Sequence, residues 1–158
     1  MLIVLATLAV LQETIFNNLV IAGYHPDTLL SATVVAGLSL GEDMGARIGF
    51  LAGLAADLFT TTAFGLEALV LLMVGYGAGR TGSGAERLSP ASFSLSTGVW
   101  VIGATSAYAL LGAILGAPAL PPSRLATLLV VSGAWAIALA VPLGKLIRWT
   151  PVSYTHLT

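Results

Sequence analysis

The sequence contains no cysteine and only two histidines, which removes the commonest ligands of structural metal sites. Without cysteine the chain can form neither a disulfide bond nor a thiolate metal site. His25 and His156 lie far apart in apparent loops. We therefore expect neither a metal centre nor a cofactor in this protein.

Charged residues are also scarce. They make up 8% of the 158 residues, whereas soluble domains carry about 25%. The net charge of −1 provides no basic surface for nucleic acid. Hydrophobic residues make up 57% of the chain, more than a soluble domain of this length can bury. The composition predicts an integral membrane protein of one domain, with lipid solvating its apolar side chains.

Segments of suitable length and hydropathy divide the chain into six predicted spans. A span needs about 20 apolar residues, and Gly, Pro and charged residues mark the ends. The prediction is an all-α bundle of six transmembrane helices, whose first helix is retained rather than cleaved as a signal peptide. The spans are expected at residues 2–21, 27–40, 44–59, 64–79, 89–115 and 123–147. Residues 1–149 would form this domain, and residues 150–158 are interpreted as a disordered, non-native tail.

The positive charges are distributed unequally between the two sides of this bundle. One side holds five of them and the other holds only Arg124. Because Lys and Arg concentrate on the cytoplasmic side, both termini are predicted to be cytoplasmic. The five are Arg47, Arg80, Arg87, Lys145 and Arg148.

Four residues spaced by four form one stripe along the third predicted span: Gly45, Gly49, Gly53 and Asp57. Glycines let a second helix approach closely, which drives helix association in lipid. Two interpretations are open for the glycines. They pack inside the bundle, or they form an interface with a partner helix.

Two acids flank the short turn after this stripe. Asp57 could anchor a polar cavity, respond to protons or contact a partner, since intramembrane carboxylates are costly and usually functional. It could equally cap the next helix, together with one of the threonines at positions 60–62. Glu67 could complement the positive end of that helix, or approach Asp57 as an acidic pair suited to proton coupling.

The first predicted span carries the polar residues Gln12, Glu13, Asn17 and Asn18 in its second half. They cannot all share one helical face, so some are expected to line the bundle interior or a protein contact. No nucleophile–base pair, phosphate-binding loop or metal motif occurs. We therefore expect a protein that is not an enzyme.

The order and spacing of several motifs resemble the MreD family of bacterial rod-shape-determining membrane proteins. The resemblance covers residues 2–80, and the second half matches in length, span count and hydropathy. Glu13 and Glu67 depart from the family pattern. The motifs are Leu11-Gln12-Glu13-Thr14, Pro26-Asp27, Gly45-x3-Gly49-Phe50-x2-Gly53-x3-Asp57, Gly65-Leu66-x-Ala68 and Gly75-Tyr76.

This resemblance implies a scaffold or regulator of the cell-elongation complex, without catalytic activity, in the bacterial cytoplasmic membrane. Its implied partners are an MreC-like single-span protein, the transpeptidase and glycosyltransferase of peptidoglycan synthesis, the MreB filament and membrane lipid. The implied fold is similar to the six-helix substrate-binding component of energy-coupling-factor transporters.

Two alternatives to this function are open. The chain could bind a vitamin as a transporter component, although Ala6 and Ala9 lack the four-residue spacing with which such proteins dock their energising module. It could also be a proton-coupled transporter or channel that uses Glu13, Asp57 and Glu67.

Overall fold

The computed structural model describes residues 27–58, 65–82, 89–114 and 121–149. Every regular element in these ranges is an α-helix, which confirms the all-α prediction for this part of the chain. The first predicted span, residues 2–21, and the tail after residue 149 lie outside the described residues. The helices are α1 (Thr28–Leu40), α2 (Glu42–Asp57), α3 (Leu66–Thr81), α4 (Pro90–Ile114) and α5 (Pro122–Trp149).

The ends of these helices lie within two residues of the predicted ends of the second to sixth spans. The Asp27 side chain caps α1 by accepting a hydrogen bond from the backbone N–H of Leu30 at 2.8 Å. The prediction began the third span too late, at residue 44. Glu42 and Asp43 look like loop charges in the sequence, but they form the first turn of α2, where acids complement the helix dipole.

A single residue, Gly41, separates α1 from α2. Its φ of 90° lies in the left-handed region that side chains disfavour. Its N–H donates to the Gly37 carbonyl at 2.9 Å, and its own carbonyl accepts from the Gly45 N–H at 2.9 Å. One glycine therefore ends the first helix and begins the second.

Only two of the described helices, α4 and α5, are long and apolar enough to cross a membrane. At 1.5 Å per residue, the 25 residues of α4 span about 38 Å. The 13 residues of α1 span about 20 Å, and the 16 residues of α2 and of α3 about 24 Å each. A bilayer core is about 30 Å thick, so these lengths do not support the predicted bundle of six full spans.

Helix α1 lies at the centre of the described bundle. Eleven of its 13 residues are buried, because α1 packs against the α2–α3 pair on one side and against α4 and α5 on the other. Both flanking pairs are antiparallel. Gly98 of α4 faces Ile137 of α5 and Ile102 faces Gly133, while Gly45 of α2 faces Gly75 of α3 and Gly53 faces Ala68. Val34, Val35 and Val101 are the largest apolar side chains that are fully buried.

The long helices keep much of their apolar surface outside this core. Only 22% of the most apolar stretch of α4 and 17% of that of α5 is buried. Leu95, Val99 and Val130 are 60%, 70% and 69% exposed. The core helix of a soluble protein would instead be mostly buried, so these two helices present apolar faces to their surroundings.

Candidate functional site

Asp57, the last residue of α2, holds the first turn of α3 through its carboxylate. The side chain is only 4% exposed. Oδ2 accepts hydrogen bonds from the backbone N–H groups of Gly65 at 2.9 Å and Ala68 at 3.2 Å, and Oδ1 accepts from that of Glu67 at 3.2 Å. Gly65 occupies the N-cap position of α3 and has no side chain to offer. The carboxylate of Asp57 therefore supplies the cap from the preceding helix.

Among the roles that the sequence leaves open for Asp57, the structure shows the helix cap. Asp57 and Glu67 come close through the backbone N–H of Glu67, which donates to Oδ1 of Asp57. Glu67 lies in the first turn of α3. The threonines at positions 60–62, which could have shared the capping role, lie outside the described residues.

The glycine stripe of α2 faces α3 along its whole length. A Cβ built at Gly45 would overlap the backbone carbonyl of Gly75, and one built at Gly49 would overlap that of Leu71. At Gly53 it would overlap the Cα of Ala68. The three glycines are buried, so the stripe is covered by a helix of the same chain and lets two backbones touch.

A third helix joins this contact at Gly37 of α1, a residue that the sequence interpretation missed. A Cβ at Gly37 would lie 2.5 Å from the Gly75 carbonyl oxygen, and a Cβ at Gly45 would lie 2.7 Å from the Gly37 Cα. The four-residue spacing of Gly37 and Gly41 is the sequence pattern that could have indicated close helix packing at Gly37. Helices α1, α2 and α3 thus converge on one point where only glycine fits.

A partly open cleft of about 300 Å³ lies beside the capped start of α3 and is bordered by α1, α3, α4 and α5. Its polar lining consists of two carboxyl side chains and three hydroxyl side chains, from Asp27, Glu67, Thr105, Tyr108 and Ser132. The remaining lining is apolar and comes from Leu30, Val70, Leu71, Ala104 and Leu128. Ligand sites usually combine an apolar wall with a few polar groups in this way, and their volumes start at about 300 Å³.

A second depression, which we call the α3–α4 groove, is open and almost wholly apolar. Its volume is about 420 Å³, and its α4 side includes the small residues Gly103, Ala104 and Ala107. No atom of the residues that the structure describes lies within 4 Å of a Cβ built at Gly103. Trp100 fixes one end of the groove, since its Nε1–H donates to the Thr81 hydroxyl at 3.0 Å. The groove is lined by Met73, Val74, Val99, Trp100, Gly103, Ala104 and Ala107.

The polar residues predicted to lie within the membrane in the first span, Gln12, Glu13 and Asn17, lie outside the described residues. Within the described ranges, no group of three or more His, Asp or Glu side chains could hold a metal ion. The polar site that the structure defines therefore consists of the Asp57 cap and the adjoining cleft.

Comparison with protein-family models, with curated proteins and with solved structures finds no match to this chain.

Proposed function

We propose that this chain is a multi-pass protein of the bacterial cytoplasmic membrane that acts as a non-catalytic, MreD-like scaffold of the cell-elongation complex. It docks partner membrane proteins, foremost an MreC-like single-span protein, and through them the peptidoglycan transpeptidase and glycosyltransferase and the MreB filament. The observation that carries the proposal is the α3–α4 groove, an exposed apolar surface with small residues on one wall.

Membrane insertion is supported by α4 and α5, which are long, apolar and mostly exposed. The proposal adds residues 2–21 as a first span and places both termini in the cytoplasm. Helices α2 and α3 are shorter than the bilayer core, and membranes accommodate such helices by local thinning and by snorkelling of flanking side chains. Helix α1 needs no lipid contact, because its neighbours bury it.

The groove suits a partner helix better than the glycine stripe does. The stripe is already occupied by α3, whereas Met73 and Val99 at the groove are 64% and 70% exposed. In lipid, where apolar side chains gain little by leaving their surroundings, helices associate by close packing on small residues. Gly103 and Ala107, one turn apart on α4, supply such a surface.

The test is partner capture after the groove has been filled. Gly103→Leu places a bulky side chain in the groove, at a position where an added Cβ meets no atom of the described residues within 4 Å. We expect this variant to fold and to lose copurification of the MreC-like protein from native membranes. Ala134→Leu adds a similar side chain at an exposed position of α5 and should leave capture unchanged. Undiminished capture by a folded Gly103→Leu protein would contradict the proposal.

The cleft favours a second candidate, the substrate-binding component of a vitamin transporter. Its mixed polar and apolar lining matches the general character of a small-molecule site. Saturable binding of a vitamin to the purified protein, together with failure to capture any cell-elongation protein, would favour this function over the scaffold.

A further inference from the structure

The two helix pairs that flank α1 differ in length. Helices α4 and α5 contain 25 and 28 residues and measure about 38 and 42 Å. Helices α2 and α3 contain 16 residues each and measure about 24 Å. The hydrocarbon core of a bilayer is about 30 Å thick. The α4–α5 pair therefore exceeds the thickness of this core, whereas the α2–α3 pair falls short of it.

The contacts between α3 and α4 centre the shorter pair on the longer one. Met73 and Val74 lie at the midpoint of α3, and they line the α3–α4 groove together with Gly103 and Ala104, which lie next to the midpoint of α4. Because the middles of the two helices are level, α4 extends past α3 by about 7 Å at each end. The difference in length therefore falls on both surfaces of the membrane.

The outer face of the shorter pair is apolar but low. Phe50 of α2 and Leu69 of α3 are 42% and 55% exposed. Arg47, one turn from Phe50 on the same face of α2, is exposed as well. The uncharged stretch that follows it, residues 48–56, covers about 14 Å, whereas the uncharged stretch of α5, residues 125–144, covers about 30 Å. Lipid chains beside α2 therefore meet an apolar surface about half as tall as that beside α5.

The protein cannot remove this difference by rearranging its helices. To cover the same 24 Å, α4 would have to tilt by about 50° from the membrane normal, and membrane helices tilt by about 0–40°. The backbones of α2 and α3 contact each other at Gly45, Gly49 and Gly53, so α2 cannot slide along α3 to gain height. Asp57, at the other end of α2 from Arg47, is bonded to three backbone amides and cannot extend toward water. The lipid has to accommodate the difference.

We propose that this chain thins the bilayer beside α2 and α3 and gathers lipids with short acyl chains there, while lipids of ordinary length surround α4 and α5. A bilayer thins around a hydrophobic segment that is too short, at a cost that grows with the mismatch. Short-chain lipids lower this cost, and they therefore collect at the shorter pair. The inference rests on the membrane insertion that is part of the proposed function, and it does not need the scaffold role.

Fluorescence quenching measures which lipid lies beside a chosen residue. Because the chain has no cysteine, Phe50→Cys, Leu69→Cys and Val130→Cys each carry a single bimane label. All three positions are exposed, and Val130 on α5 is 69% exposed. The full chain is reconstituted in mixtures of dimyristoleoyl phosphatidylcholine, which has short chains, and brominated distearoyl phosphatidylcholine, which quenches the label. Normalised to quenching in pure brominated lipid, the titration gives the preference for the short-chain lipid at each position.

We expect the short-chain lipid to be preferred at least about twofold at positions 50 and 69, and not to be preferred at position 130. Arg47→Leu lengthens the uncharged stretch of α2 and should lower the preference at position 50. Lys145→Leu removes a like charge from an exposed position of α5 and should leave that preference unchanged. Helical circular dichroism verifies that each variant is folded.

Equal preference at all three positions overturns the proposal and leaves membrane insertion intact, as does an equal effect of Arg47→Leu and Lys145→Leu. Quenching at position 130 without quenching at positions 50 and 69 also overturns it, because lipid then does not reach the shorter pair. Absence of quenching at all three positions overturns membrane insertion itself. The readout needs no partner protein, so failure of the scaffold role alone would leave it unchanged.

Discussion

Asp57→Ala removes the acceptor of three backbone N–H groups at the start of α3 while leaving the rest of the helix interface in place. The bond to Ala68 is buried, and those to Gly65 and Glu67 are partly buried. A buried N–H without an acceptor costs about 1–3 kcal/mol. The two partly buried groups can regain water and should cost about 0.5–1 kcal/mol each, the lower range for a lost helix cap. We therefore expect the free energy of unfolding to fall by about 3 kcal/mol.

Asp57→Asn separates hydrogen bonding from charge. Its amide oxygen can replace Oδ2, which serves Gly65 and Ala68, but its NH₂ group cannot accept from Glu67. The loss should be about 1 kcal/mol, as for one partly buried hydrogen bond. Asp57→Leu should cost at least as much as Asp57→Ala, because it also forces bulk into a buried position.

The assay is SDS titration of the purified chain in mixed micelles, followed by circular dichroism and tryptophan fluorescence. Asp43→Ala, at an exposed position in the first turn of α2, is the control and should cost less than about 1 kcal/mol. An Asp57→Ala protein within 0.5 kcal/mol of the parent would refute the capping role. Equal losses from Asn and Leu would show that charge, rather than hydrogen bonding, holds the helix.

Further predictions concern the packing of α3 and its contacts with α2 and α4. Gly49→Ala should lower the free energy of unfolding by about 1–2 kcal/mol in the same titration, because the overlap with the Leu71 backbone outweighs the gain in helix propensity. Gly103→Ala, in open space, should raise it by up to about 1 kcal/mol, and an equal loss at both glycines would contradict this account. Trp100→Phe removes the bond to Thr81 and should cost about 1 kcal/mol; an unchanged free energy of unfolding would show that the indole N–H contributes nothing.

Hydropathy predicts the described helices well, because each is a run of apolar residues ended by Gly, Pro or a charge. It fails at the start of α2, where Glu42 and Asp43 belong to the helix that they appear to precede. Hydropathy also predicts more membrane-crossing helices in the described ranges than the two whose length and composition suffice to cross a bilayer. A buried helix such as α1 is as apolar as a spanning one, and only the neighbours that cover it reveal the difference.

The candidate site was less accessible from the sequence. The four-residue spacing defines the glycine stripe, but it does not show that α3 rather than a partner covers it. The capping role of Asp57 depends on amides eight to eleven residues further along the chain, so it requires the antiparallel pairing of α2 and α3. The cleft assembles residues from four helices, and no local pattern marks such a set.

The absence of cysteine from the chain allows the docking proposal to be tested at single positions in living membranes. The decisive measurement is crosslinking from Gly103→Cys, in the α3–α4 groove, compared with Ala134→Cys on α5, each labelled with the same photoreactive maleimide. The account predicts a covalent product with the MreC-like single-span protein from position 103 and none from position 134. Equal crosslinking from both positions, or no product from position 103, would contradict it.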